Sequence, residues 1–118
     1  MKQAEHDLKA AESNYRSGLN VFAVFLCHLA VEKSLKAIFF KRHKNQPPKI
    51  HSLIYLLERC ELQPPDDIYN FLYMLSGASI PTRYPDELSK LYEIYDKRKT
   101  KEIIRKSKEV LKWASENL

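Results

Sequence analysis

One stretch of this sequence carries most of the groups able to do chemistry. It reads CHLAVEKSLKA, from Cys27 to Ala37, and sets His28, Glu32 and Lys36 at intervals of four. On a helix that spacing aligns the three side chains in one stripe, with Glu32 N-terminal to Lys36, the favourable order for an ion pair. His43 falls in the same sector, whereas Lys33 points about 100° away from Glu32. The flanks are apolar, Val21 to Leu26 before and Ile38 to Phe40 after. A carboxylate leaves water among such neighbours only if a cation or a hydrogen-bond donor meets it. Lys36 is one candidate. Arg83 is the second, because Pro85 pushes Tyr84 toward an extended backbone. An arginine on a fixed, extended loop suits two-pronged contact with a carboxylate. Arg83 is therefore expected on or near Glu32.

Other chemistry finds fewer supports. The histidines are His6, His28, His43 and His51. Cys27 and His28 are adjacent, so they diverge by about 100° on a helix, and Cys60 is remote; zinc-ligand spacing is missing. Gly18 and Gly77 are the only glycines, so there is no glycine-rich phosphate loop. A nucleotide would be held by lysines, arginines and helix starts instead. Ser34, Ser76 and Ser79 lack triad company. Packing accounts for most of Tyr69, Tyr73, Tyr84, Tyr92 and Tyr95, with base stacking the sharper alternative for Tyr84 beside Arg83. No cofactor or metal is called for.

The elements that must position these residues all read as helices. Leu8, Ala11 and Tyr15 recur at helical spacing over residues 2 to 17, with Gly18 near the C-cap. Asn20 serves as N-cap of a second helix running to about Lys41. Placed at 100° steps, its apolar residues cover most of the wheel, so it belongs in the middle of a bundle or in an interface. A loop with Pro47 and Pro48 follows. His51-Ser52 opens a third helix with Leu53, Ile54, Leu56, Leu57 and Cys60 as its stripe. A fourth helix starts near Pro65 and buries Ile68, Phe71, Leu72 and Leu75; Gly77 closes it. Pro85-Asp86-Glu87 starts another helix, with carboxylates near its positive end. A break is expected near Lys97 to Thr100, with Thr100 capping a last helix from Lys101 to about Asn117. The expected architecture is all-α, an antiparallel up-and-down bundle of four to five main helices.

At 118 residues the chain is read as one domain, residues 1–118, with 44% hydrophobic and 30% charged residues. Cys27 and Cys60 are expected as reduced, buried thiols. The N-terminal segment is polar and does not look like a leader. The longest apolar run, Val21 to Val31, is broken by His28 and falls short of the roughly 20 residues a bilayer needs. No membrane association and a cytoplasmic location are therefore expected. The net charge of +5 is concentrated in residues 32–50 and 97–112. Such clusters suit a phosphate-bearing partner, or are simply solvated helix faces.

Three motifs in order resemble the HEPN (higher eukaryote and prokaryote nucleotide-binding) family over nearly the whole chain. They are Ala30-Val31-Glu32-Lys33-Ser34-Leu35-Lys36-Ala37, then His51-Ser52-Leu53, then Arg83-Tyr84-Pro85-Asp86. Cys27-His28-Leu29 departs from the glutamine-rich segment often found before the first motif. The resemblance implies a helical bundle, a homodimer, nucleotide or RNA as ligand, and a nucleotidyltransferase as the partner in a toxin–antitoxin-like two-gene module. In that setting Lys33, Lys36 and Arg83 would meet phosphate, Tyr84 would stack, Glu32 would orient a cation, and His51 would be the acid–base group. Many family members are metal-independent ribonucleases with an Arg-x4–6-His motif. No arginine of this chain has a histidine at that spacing, so a ribonuclease here would use Arg83 with His51. An interaction module without a small ligand is the third reading.

Overall fold

The computed structural model describes residues 1–77 and 85–118. Six helices follow one another: α1 (Lys2–Arg16), α2 (Asn20–His43), α3 (Leu53–Arg59), α4 (Asp66–Ser76), α5 (Pro85–Ile94) and α6 (Lys97–Glu116). No strand occurs among the described residues, so the all-α expectation holds; α3, at seven residues, is the shortest of the six and leaves five main helices.

α2 is the axis of the molecule. Val21, Ala23, Val24, Cys27, Ala30, Val31, Leu35 and Ile38 are all fully buried. One contiguous core joins most of them to Leu8 of α1, Leu53 and Leu56 of α3, Phe71, Leu72 and Leu75 of α4, and Ile103, Val110 and Leu111 of α6. Fully buried Ala4 and Ala11 on α1 meet a helix with its own buried alanines, and such small side chains let two backbones approach closely. Cys27 and Cys60 are buried and unbridged, as expected. The Cys60 thiol points at the Leu35 carbonyl oxygen, 3.3 Å away.

The turn between α1 and α2 is a Schellman closure. Gly18 N–H donates to Tyr15 O at 3.0 Å and Leu19 N–H to Asn14 O at 2.8 Å, with Gly18 at φ +79°. That positive φ is the reason for a glycine there.

Two expected caps are corrected. Asn20 lies inside α2, and Leu19 is the cap residue; the Asn20 amide instead donates to Tyr95 O at 3.2 Å. Thr100 does not cap a helix starting at Lys101. The cap is Asp96, whose Oδ1 accepts from Lys99 N–H at 2.8 Å, so α6 begins at Lys97. A carboxylate is the better partner for a helix start that carries three cations. Thr100 is buried and donates to Tyr95 O at 3.3 Å. The Tyr95 carbonyl thereby ties the start of α2 to the corner between α5 and α6.

Two further readings of packing change. α2 is not covered all round: Phe22, Phe25 and Phe40 remain exposed. The tyrosines pack less than expected, since Tyr73 is 69% exposed and Tyr69 is also exposed, while Tyr95 is buried. No helix among the described residues is long and apolar enough to cross a membrane.

Candidate functional site

Glu32 is only 4% exposed, and its carboxylate collects partners. Lys36, one turn along α2, puts its ammonium 3.1 Å from Oε2. His51 places Nδ1 2.9 Å from Oε1. His28, one turn back, is 3.8 Å from the same oxygen, within ion-pair range and too long for a hydrogen bond. The stripe of His28, Glu32 and Lys36 read from the sequence is therefore a working cluster, held off water by the packing around α2.

The hydrogen bond to a carboxylate requires a proton on His51 Nδ1, which leaves Nε2 as the ring's free position. The His51 side chain is 81% exposed, so this position is reachable from solvent. Two local devices hold it there. Ser52 caps α3 by accepting from Tyr55 N–H at 3.2 Å. Leu53 N–H, an orphan donor at the helix start, is taken by Ser76 Oγ of α4 at 3.1 Å. His51, immediately before the cap, is thereby carried over α2.

His28 behaves differently. It is buried, and burial pushes its pKa below the ordinary histidine value; the Glu32 charge opposes that shift and His51 adds to it. It stays neutral near pH 7 and acts as packing beside the carboxylate rather than as a second exposed cation. Burial likewise pushes the Cys27 thiol up to about 12 and the Cys60 thiol up to about 11, so neither is a ready nucleophile.

Not every predicted residue joins the cluster. Lys33 sits 2.6 Å from Asp7 Oδ2 of α1 and 3.2 Å from Gln3 Oε1. It cross-braces α1 and α2, in keeping with its 100° offset from Glu32. His43 leaves the stripe: Nε2 lies 2.8 Å from Arg59 O and its ring packs on Phe39. The docking of Arg83 on Glu32, and the position of Tyr84, lie outside the described residues. The partner of Glu32 that sequence reading missed is His51, whose signal was its place just before a capping serine.

The surroundings are basic in one place and acidic in another. α6 holds eight lysines and arginines against three glutamates, a net +5 that equals the net charge of the whole chain. Part of it is spent internally: Arg105 bridges Glu102 and Glu109 on its own helix, and Lys108 reaches Glu12 of α1. A groove of about 520 Å³ between the end of α3 and the start of α4 is lined by Glu58, Glu61, Asp66 and Tyr69 with Leu57 and Leu62 beneath. Its carboxylates make it a poor home for phosphate. Among the described residues no group of three or more His, Cys, Asp or Glu side chains is arranged to hold a metal ion.

The HEPN domain family model matches the chain over residues 1–118. The chain belongs to the HEPN family. Two solved structures share the fold over nearly its whole length. TT1696 from Thermus thermophilus superposes with a TM-score of 0.82 at 27% identity, covering 99% of this chain and 94% of that one. ST0689, an archaeal HEPN homologue, superposes with a TM-score of 0.76 at 31% identity, covering 97% and 90%. No match is found among curated proteins. The Glu32 cluster thus sits on a HEPN bundle, with the first two motifs of the resemblance, around Glu32 and His51, in direct contact.

Proposed function

We propose that this HEPN protein binds a nucleotide or RNA phosphate at the Glu32 cluster. It does so as a cytoplasmic homodimer and as the helical partner of a nucleotidyltransferase-type protein, in a toxin–antitoxin-like two-gene module. The observation that carries the reading is the pairing of His51 and Lys36 on one buried carboxylate, with the His51 ring reachable from solvent. Lys36 commits one ammonium proton to Glu32 and keeps two for a ligand oxygen. The His51 ring, with Nδ1–H resting on Glu32, presents Nε2 beside it. Glu32 holds both in place, so little side-chain freedom is lost when the anion arrives. Arg83 adds a two-pronged phosphate contact and Tyr84 a ring for the base. Lys33, held on Asp7, takes no part.

A second reading, the metal-independent ribonuclease, draws on one specific feature. An imidazole whose Nδ1–H rests on a carboxylate is oriented to exchange protons at Nε2. There His51 would accept the proton of a ribose 2′-hydroxyl while Lys36 and Arg83 meet the phosphate.

Thermal melting with ATP or a short RNA, together with RNA incubation under chelator, separates the readings. Ligand at 100 times its dissociation constant stabilises by about 2.7 kcal/mol. Stabilisation lost in both His51→Ala and Lys36→Ala, without cleavage, supports the first reading. Cleavage lost in both His51→Ala and Arg83→Ala supports the second. Neither signal would leave an interaction module.

A further inference from the structure

Two imidazoles point at one carboxylate oxygen. His51 Nδ1 lies 2.9 Å from Glu32 Oε1, and His28 Nδ1 lies 3.8 Å from the same atom. The other oxygen, Oε2, is held by Lys36 at 3.1 Å. Oε1 is therefore the contested position. His28 stands at 3.8 Å against 2.9 Å for His51, so it is 0.9 Å short of a hydrogen bond of the same length. The oxygen has lone pairs for both rings, but charges on the two rings repel, and His51 already opposes a proton on His28.

The rings differ in what else can meet a charge on them. His28 is 7% exposed, whereas the His51 side chain is 81% exposed. An imidazolium at His51 is hydrated whether or not Glu32 holds it, so that pair adds little. An imidazolium at His28 has no water to turn to and has to keep a counter-ion. The same two charges attract roughly four times more strongly at the effective dielectric of a protein site than in water. Among the described residues, the charged and titratable groups acting on His28 are Glu32 of its own helix and His51 ahead of α3. Glu12 of α1 acts on Cys27 instead, about 100° round the helix. Lys36 lies beyond Glu32, on Oε2. Of these groups Glu32 alone carries the sign that a protonated His28 needs.

We propose that His28 is a positioning residue that responds to acid: neutral, it leaves Glu32 Oε1 to His51; protonated, it takes that oxygen and releases the His51 ring into solvent. Burial keeps His28 neutral until the pH falls below the ordinary histidine range. The site is thus assembled near pH 7 and dismantled in acid. What is lost is the fixed Nε2 of His51, while Lys36 keeps its contact with Oε2. This rests on the anion site of the functional reading and adds its regulation.

Ring dynamics test the switch without any ligand. With isotope-labelled histidine, relaxation of the His51 Cε1–H group gives an order parameter, and the His28 Cε1–H shift follows protonation. Between pH 7.5 and 5 the His51 value should fall from about 0.85 to below about 0.6, in step with the His28 titration. In His28→Gln, which cannot take up the charge, the ring should stay ordered throughout. His28→Asn replaces that variant if its helical circular dichroism is lost. Loss of order that follows the titration of His51 itself, or that persists in the variant, overturns the proposal. So does a His28 that takes up no proton before the fold is lost. ATP supplies the second arm. Its apparent dissociation constant should rise about tenfold over the same range in the wild type, as the fraction with His51 held falls to about a tenth, and show no such rise in His28→Gln. A change in ring order without ATP binding at any pH removes the functional reading and leaves the switch standing.

Discussion

Lys36→Ala and His51→Ala remove the two hydrogen-bond donors of the same carboxylate, yet they should differ sharply. Lys36 is three-quarters covered, and its removal leaves a Glu32 that is 4% exposed with His51 as its one aligned donor. Breaking a fully buried pair costs about 3–5 kcal/mol. The remaining His51 contact and partial access of water reduce this to about 2 kcal/mol, or roughly 8 °C in melting temperature for a chain of this size. His51 is 81% exposed, so its loss should cost under about 1 kcal/mol, because Lys36 stays on the carboxylate and solvent replaces the ring. Differential scanning calorimetry at pH 7.5 measures both. Ligand-induced stabilisation in the same samples should vanish in each variant. A His51→Ala protein melting lower than Lys36→Ala would refute the argument, because His51 would then be holding the fold and not standing at an open site. A Lys36→Ala protein within about 1 °C of wild type would show that Glu32 does not depend on its helical neighbour.

Burial lowers the pKa of His28, so the unfolded chain takes up a proton there more readily than the native one. His28 thus adds a stability loss that begins as pH falls through the ordinary histidine value near 6.5 and continues toward its lowered native value. Chemical denaturation between pH 5 and 7.5 should show that slope, and His28→Gln should flatten it. Gly18→Ala should destabilise by about 1 kcal/mol in urea titrations, since φ +79° is strained for alanine although no atom crowds a Cβ there. Asp96→Ala should cost a similar ~1 kcal/mol through the lost cap, measurable in the same titration. Both thiols should resist iodoacetamide at pH 8 in the native protein and react in urea, as mass spectrometry would register.

What could be read from the sequence follows the reach of each force. Helical periodicity is a short-range signal, and it marked every helix and the core stripes of α3 and α4. The Glu32–Lys36 contact is a one-turn relation and was legible for the same reason. His51 reaches Glu32 from 19 residues downstream, across a proline loop whose course no local rule dictates. Asn20 and Thr100 have the chemistry of caps, but the tertiary demand of the Tyr95 carbonyl outweighed it. Periodicity showed α2 apolar on nearly every side; which side the other helices leave open depends on how they pack around it, and that is a property of the whole bundle.

The hydroxyl of Ser76 has a consequence larger than one hydrogen bond. It lashes the last turn of α4 to the first amide of α3, so the end of one helix and the start of the other form a single rigid corner. His51, two residues before that amide, owes its reach over the Glu32 carboxylate to an oxygen borrowed from a different helix.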